Sequence, residues 1–311
     1  MERTIEAVPV AVFSEILAAG EFIPAMEATL SGEPIILGCL GPMDERPRFR
    51  CRIHVREGAA WTVVDVEDIG RTIGPQFGSR NMDRGRGHSA RTGETAVVLN
   101  DEGRILHRFD PGRDPQRVAT TEDGQVWIGY GEEPRGPLDD HGLVALDERG
   151  ELRFGFNSIA DQHGLPWVFD CYALTATGRD EIWVCYYTDF PLVRIHGTEL
   201  VEIHPDQPVS GARAFAVGSG RVLFAGAWGF PEGVTGDEPI DRDQPFESTN
   251  HVFRLLDLDS NRFEDLRILD SAGIEFDPRA RPAEGFAMFA KGSRVFLKRP
   301  EDLQVVDVND L

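Results

Sequence analysis

The chain has 311 residues, of which 41% are hydrophobic, and its 33 glycines and 20 prolines indicate a turn-rich globular protein. The 53 acidic and 32 basic residues give a net charge of −21, which argues against a general affinity for nucleic acid and is compatible with a cationic partner. No segment approaches the roughly 18 apolar residues of a membrane span, and the N-terminus lacks a signal-peptide pattern. We therefore expect a cytoplasmic protein that contacts neither membrane nor nucleic acid.

Two N-terminal segments precede the main pattern of the chain. Residues 3–13, "RTIEAVPVAVF", read as a spare strand, and residues 11–20, "AVFSEILAAG", are the one stretch with the pattern of a short helix. The four cysteines lie in apolar, strand-like segments and form no Cys-x-x-Cys pair, which predicts buried free thiols in a reducing compartment. They are Cys39, Cys51, Cys171 and Cys185.

A repeated unit then runs along the chain. "DGQVWIGYGEE" (123–133) and "RDEIWVCYYTD" (179–189) share a polar turn, an apolar strand with a central Trp, and an acidic end. The Trp position recurs in six units, at Ile36, Gln76, Trp127, Trp183, Leu223 and Phe296. Hairpin patterns such as "TAVVLNDEGRILHRF" and "HGLVALDERGELRFGF" supply two further strands per unit.

This repeat predicts an all-β fold: one domain over residues 1–311, a six-bladed β-propeller of four-stranded antiparallel blades. The last unit has only three strands, so we expect residues 3–11 to pair with residues 303–309 and close the ring. The Trp positions should then pack between blades as core residues.

The longer connections are predicted to lie on one face of the propeller, where loops on a rigid scaffold commonly build sites. They span residues 80–93, 132–141, 157–169, 228–249 and 270–283. The basic segment 80–93 and the acidic segment 228–249 could pair with each other, bind a polar ligand between them, or simply be solvated.

Ionisable and aromatic residues at the strand ends on that face are the candidate ligand-binding site. These residues are Arg117, Asp170, Tyr172, Tyr187, Asp189, Arg213, Trp228 and Glu284, with Glu132 and Glu133 beside them. A structural ion-pair network, such as Arg213 with Asp170 and Glu284, is the competing interpretation. His88, His141 and His163 are candidate general bases, but no catalytic residue is assigned.

The repeat resembles the six-bladed propellers of the NHL and gluconolactonase types. The stretch from "QRVATTEDGQVWIGYGEE" to "GARAFAV" is similar to a group of uncharacterised bacterial propeller proteins, and this resemblance covers about residues 80–228. Gluconolactonase-type enzymes hold a divalent cation at the channel mouth, and "AEGFAM" with Glu284 resembles their first motif. However, Arg213 stands where a ligand would be needed and the family's Asn-Gly motif is missing, so no metal site is predicted.

Two functional hypotheses follow. The first is a cytoplasmic binding propeller that holds a protein or a small polar molecule on its loop-rich face. The second is an enzyme of the lactonase, hydrolase or cyclase type that uses the channel mouth. Propellers host both functions, and no cofactor motif is present to decide between them.

Overall fold

A computed structural model of the chain describes residues 3–29, 31–40, 50–66, 96–100, 102–132, 136–205, 207, 209–229, 250–278 and 287–311. Within these ranges the regular secondary structure is predominantly β-strand, as the alternation of apolar and polar residues predicts. The two α-helices described are single turns: α1 (Phe13–Ile16) and α2 (Asn157–Ala160).

Five blades, numbered here in chain order, are built from sheets in which sequential strands pair with one another. Blade 1 contains β3 (Glu21–Ala28), β4 (Pro34–Leu40), β5 (Arg50–Glu57) and β6 (Ala60–Asp65). Blade 2 contains β9 (Pro115–Thr120), β10 (Val126–Tyr130), β11 (Leu143–Leu146) and β12 (Leu152–Gly155). Blade 3 contains β13 (Asp170–Ala176), β14 (Glu181–Tyr187), β15 (Leu192–His196) and β16 (Glu199–His204).

The remaining two blades include N-terminal strands. Blade 4 contains β17 (Ala214–Gly218), β18 (Arg221–Gly229), β19 (Asn250–Asp257), β20 (Arg262–Leu269) and the added β1 (Arg3–Glu6). Blade 5 contains β21 (Ala287–Lys291), β22 (Arg294–Lys298), β23 (Asp302–Asp307) and β2 (Val8–Val12).

The predicted N-terminal closure is confirmed for residues 8–12 and is wrong for residues 3–6. Strand β2 pairs antiparallel with β23, with Val8 opposite Val305 and Val12 opposite Asp302. Strand β1, by contrast, pairs in parallel with β20 of the neighbouring blade, with Arg3 opposite Leu266. The N-terminal segment therefore covers the outer edges of two blades rather than one, which removes two exposed strand edges.

The hydrophobic core lies between the blades. One cluster joins blades 2 and 3 and contains Trp127, Phe156 and Tyr186, and another joins blades 3 and 4 and contains Trp183 and Phe224. Ile36, Leu223 and Phe296 are also fully buried, so five of the six repeat positions are core residues as predicted. The sixth, Gln76, lies outside the described residues.

The prediction of six blades is wrong for the part of the chain that the structure describes, where five blades are formed. The described part of the second unit is a two-stranded sheet of β7 (Ala96–Leu99) and β8 (Ile105–Phe109). Gly103 in its turn lies against Asp65 and Val64 of blade 1, and Phe109 packs on the apolar face of blade 2. The hairpin pattern "TAVVLNDEGRILHRF" thus predicted its two strands correctly but not a complete blade.

The inner strands converge at the face opposite to the loop-rich one. Lys291, at the end of β21, is buried, and its ammonium group donates a hydrogen bond of 2.9 Å to the carbonyl of Thr120 at the end of β9. The amide of Gly292 donates to the carbonyl of Ala176 at the end of β13. Residues of blades 2, 3 and 5 therefore meet at this end of the central axis, which we call the floor.

Two further features of the chain are its cysteines and its helices. All four cysteines are free thiols and buried, as predicted. Among the helices in the described ranges, none has the length and apolar character needed to cross a bilayer.

Candidate functional site

The inner strands β3, β9, β13, β17 and β21 all begin at one end of the propeller, which we call the mouth face. The connections between blades, and those between the second and third strand of a blade, also lie on this face. The candidate residues described below belong to blades 2, 3 and 4 at this end.

Arg117 on β9 reaches from blade 2 towards blade 4. Its guanidinium donates one hydrogen bond of 2.9 Å to the carbonyl of Gln116 and a longer one of 3.4 Å to the carbonyl of Arg213. The side chain is almost fully buried, so its charge has little access to water. Arg117 thereby links the starts of two inner strands across the mouth end of β13.

Asp170 and Tyr187 are direct cross-strand partners at the mouth end of blade 3. The amide of Phe169 donates a hydrogen bond of 2.8 Å to the carbonyl of Tyr187, which extends this ladder by one step. Asp170 is only 9% exposed, whereas Tyr187 is 43% exposed. At this strand pair Asp170 is therefore enclosed, whereas Tyr187 is open to solvent.

The turn after β14 places a third ring between two predicted site residues. The Phe190 ring lies 5.4 Å from the ring of Tyr172 and 5.7 Å from that of Tyr187, measured between centroids. Asp189 and Phe190 both have positive φ angles, of 63° and 52°, which non-glycine residues rarely adopt. Packing of Phe190 against the two tyrosines helps to hold this unusual turn, and it leaves Asp189 exposed at the tip.

Two further aromatic residues, which the sequence did not single out, flank this turn. Trp167 and Phe169, in the connection that leads into β13, are 46% and 48% exposed. The indole of Trp167 donates a hydrogen bond of 3.1 Å to the carboxylate of Asp161. The sequence signal that could have identified them is the pair of aromatic residues in "LPWVFD", which belongs to one of the long connections predicted on the loop-rich face.

This connection is held in place by one side chain. The Asn157 side-chain oxygen accepts a hydrogen bond of 2.8 Å from the amide of Val168, and its amide nitrogen donates to the carbonyl of Asp140. Asn157 therefore links the approach to β13 with the loop that follows β10. The exposed rings of Trp167 and Phe169 thus stand on a fixed backbone.

We call the exposed group of Asp161, Trp167, Phe169, Tyr187 and Asp189 the aromatic rim. It combines three large rings with two carboxylates, all in or beside the connections at the mouth end of blade 3. Large apolar side chains gathered on a surface commonly mark an interaction site.

Six of the eight sequence-predicted site residues lie in the part of the mouth face that the structure describes. Arg117, Asp170, Tyr172, Tyr187, Asp189 and Arg213 lie at the mouth ends of blades 2, 3 and 4. Arg213 precedes β17, and its amide donates to the carbonyl of Ala225. Its aliphatic stem packs against Gly226, where any Cβ would lie 3.0 Å from Cδ of Arg213.

Several predicted residues and loops cannot be placed in the same way. Trp228 lies in β18 opposite His251, but its side chain is not described, and Glu133, His88 and Glu284 lie outside the described residues. The proposed pairing of segments 80–93 and 228–249 falls mainly outside them as well. Glu132 and His163 are exposed, and the ring of His141 packs against Gly155.

Blade 1 contributes a buried acidic residue to the mouth face that the sequence did not indicate. The Glu21 side chain, at the start of β3, is fully buried and lies 3.5 Å from both Nη1 of Arg52 and Nε2 of His54. One of its carboxylate oxygens accepts a hydrogen bond of 2.7 Å from the amide of Ala18. Burial lowers the pKa of His54, and the negative charge of Glu21 opposes that shift.

The structure offers no metal-binding cluster within the described ranges. No group of three or more His, Cys, Asp or Glu residues is arranged there to hold an ion. Two open cavities of about 370 and 210 Å³ lie at blade edges, the first beside Arg3 and Phe263 and the second beside Val10 and Trp61. Neither cavity includes a residue of the predicted site.

Comparison with known proteins gives a partial family match. A sequence model of the YxzG family matches residues 143–229, which is less than a third of the chain. No curated protein matches.

Three solved structures illustrate distant likenesses of the fold. YCF48 bound to D1 peptide shares 10% identity at a TM-score of 0.41, with 94% of this chain and 79% of that chain covered. A glucose dehydrogenase shares 12% identity at a TM-score of 0.32, with coverages of 98% and 82%. The soluble aldose sugar dehydrogenase of Escherichia coli shares 11% identity at a TM-score of 0.29, with coverages of 88% and 78%. At these TM-scores the likenesses carry no argument about function, and the propeller assignment rests on the sheet topology of the chain itself.

Proposed function

We propose that this chain is a binding propeller whose aromatic rim holds a basic segment of a partner protein. The observation that carries the proposal is the exposure of three large rings, Trp167, Phe169 and Tyr187, beside the exposed carboxylate of Asp189. Aromatic faces attract Lys and Arg side chains through cation–π interactions, and a nearby carboxylate favours the same charge.

The charge of the whole chain supports this choice of ligand. A net charge of −21 attracts cationic segments over a distance and speeds their encounter with the surface, most strongly at low salt. The local carboxylates of Asp161 and Asp189 then favour a positive side chain at the rim itself. Each exposed ion pair contributes little, about 0–1 kcal/mol, so the rings should supply most of the affinity.

The buried contacts at the two ends of the channel favour a ligand bound on the surface over one enclosed in the channel. Arg117 is buried across the starts of β9 and β17, and Lys291 fills part of the floor. The rim, in contrast, is open and stands on a backbone fixed by Asn157. A rigid, exposed surface binds a peptide without a large ordering cost on the propeller side.

A peptide-display experiment tests the proposal. A library of random peptides displayed on phage is selected on the full chain, and the enriched peptides are synthesised for affinity measurement by fluorescence anisotropy. We expect them to carry net positive charge and to bind Tyr187→Ala and Trp167→Ala about tenfold more weakly, a loss of about 1.4 kcal/mol.

Matched controls come from the same blade. Val201, on the outer strand β16, is 49% exposed, and Glu199 is exposed at the turn on the opposite face. Val201→Ala and Glu199→Gln should leave the affinity unchanged, whereas Asp189→Asn should weaken binding mainly at low salt. Enrichment of neutral or acidic peptides, or equal binding by the natural chain and all five variants, would contradict the proposal.

A further inference from the structure

A pair of cysteines lies at the mouth end of blade 1. Cys39 on β4 and Cys51 on β5 stand directly opposite each other in the strand register, next to the last pair of that ladder, Leu40 and Arg50. Both thiols are buried, and their sulfur atoms are 2.7 Å apart. They lie among apolar side chains of blade 1, including Leu37 and Ala25.

This arrangement suits a disulfide bond with little rearrangement. Residues directly opposite in an antiparallel sheet have Cα atoms about 4.5–5.5 Å apart, which falls within the range that a disulfide spans. The two sulfur atoms need to approach by only about 0.7 Å, from 2.7 Å to the bond length of about 2.05 Å. The strands themselves are already fixed by their ladder on both sides of β4.

The contact also makes the two thiols chemically unequal. The hydrogen bond that they share lowers the pKa of Cys51 and raises that of Cys39, and the charge of Glu21 adds to the increase at Cys39. A thiol with a lowered pKa supplies more of the thiolate that attacks disulfides. Cys51 is also the more exposed of the two, at 5% against 2% for Cys39, so both properties favour it as the sulfur that attacks first.

The other two cysteines provide an internal comparison. Cys171 stands opposite Tyr186, and Cys185 stands opposite Ala173, so the register does not place these cysteines opposite each other. Burial raises the pKa of Cys185 to about 12, which keeps this thiol protonated. We expect these cysteines to remain reduced under conditions that oxidise the first pair.

We propose that Cys39 and Cys51 form a reversible oxidation site, at which a small disulfide of the glutathione class converts the two thiols into an intramolecular disulfide. The Cys51 thiolate attacks one sulfur of oxidised glutathione, forms a mixed disulfide and releases one glutathione thiolate, which takes up a proton. Cys39 then loses its proton, attacks the Cys51 sulfur and releases the second glutathione. The protein loses two hydrogen atoms, and one oxidised glutathione is reduced to two thiols.

The product would link β4 to β5 covalently at the mouth face. It would close the chain between residues 39 and 51, and such a closure stabilises a fold mainly by restricting the unfolded chain. We therefore expect the oxidised protein to melt about 5 °C or more above the reduced protein. In the reducing compartment predicted from the sequence, the pair would rest as two thiols.

The test uses the folded full-length chain. The reduced protein is incubated with oxidised glutathione, the remaining thiols are alkylated, and the intact mass and the linked peptides are determined by mass spectrometry. We expect loss of two hydrogens, a link between the peptides of Cys39 and Cys51, and alkylation of Cys171 and Cys185. A reductant should reverse both the link and the increase in melting temperature.

Variants separate the site from general thiol oxidation. Cys39→Ser should stop the reaction at a glutathione adduct on Cys51, while the double variant Cys171→Ser/Cys185→Ser should oxidise as the natural chain does. The wild-type result alone is decisive if a variant fails to fold. Four alkylated cysteines after prolonged treatment, or a link that involves Cys171 or Cys185, would overturn the proposal.

Discussion

Trp127 and Trp183 show how far single residues could be assigned from the sequence. Their place in a repeated turn–strand unit predicted core positions, and both are buried between blades, with Trp127 fully enclosed and its ring 5.4 Å from that of Phe154. Trp183 additionally stacks on the ring of His204, at 6.1 Å, a contact between the second and the outermost strand of blade 3 that no local pattern indicated.

Replacement of Trp127 tests its structural role. Trp127→Ala removes a fully buried ring and leaves a cavity, so we expect a loss of about 3–5 kcal/mol in the free energy of unfolding. Urea denaturation followed by circular dichroism measures it. The surface control Val201→Ala should change stability by about 0.5 kcal/mol or less. A fully stable Trp127→Ala protein that no longer binds peptide would instead place this residue in the binding site.

A second prediction at the scale of single residues concerns Glu27, near the floor end of β3. Burial raises the pKa of its carboxyl group from 4.5 to about 7, and the positive charge of Lys291 opposes that shift. The folded protein therefore holds this proton more tightly than the unfolded chain does. The resulting contribution to stability is fully present below about pH 4.5 and is lost as the pH rises through about 7.

The measurement is the difference in melting temperature between the natural chain and Glu27→Gln across this pH range. Because Gln does not titrate, the natural chain should lose stability relative to the variant as the pH increases. A difference that is constant with pH would show that Glu27 does not hold its proton in the fold. Among the rim residues, Tyr187 and Asp189 were predicted from the sequence, whereas Trp167 and Phe169 gained significance only through their exposure at the mouth.

At the scale of elements, hairpin patterns were reliable and the N-terminus was only half correct. The alternation in "TAVVLNDEGRILHRF" predicted β7 and β8, and the missing strand of the last unit predicted the pairing of β2 with β23. The separate strand β1 was not predicted, because its four residues make parallel contacts with β20, distant in sequence, and have no turn to mark them. Long-range pairing of this kind leaves no local pattern.

Stepwise truncation distinguishes the two N-terminal strands. Removal of residues 1–6 takes away β1 and exposes the edge of β20, whereas removal of residues 1–12 also takes away β2 and its pairing with β23. We expect a modest decrease in melting temperature for the first and a large one, with association of the exposed edges, for the second. Thermal unfolding measures the melting temperatures, and light scattering measures the association. A variant without residues 1–12 that remains monomeric with an unchanged melting temperature would contradict the closure.

At the scale of the whole molecule, the repeat predicted a propeller correctly, and five of the six predicted blades are formed in the described part of the chain. Five units contain a buried residue at the repeat position, while the second unit, with Gln76 there, was the weakest match and is described only as the β7–β8 sheet. A polar residue cannot supply the packing that Ile36 or Phe296 supplies between blades. An apolar residue at the repeat position is therefore a better indicator of a blade than the spacing of the units.

Hydrogen exchange of the whole chain tests the central claim, that the aromatic rim binds a basic segment. Amide exchange is measured by mass spectrometry with and without the enriched cationic peptide. We predict slower exchange at residues 161–169 and 187–190 on the mouth face of blade 3, with unchanged exchange at residues 197–201 on the opposite face of the same blade. Protection of residues 197–201, or protection that leaves both rim segments unchanged, would contradict the account.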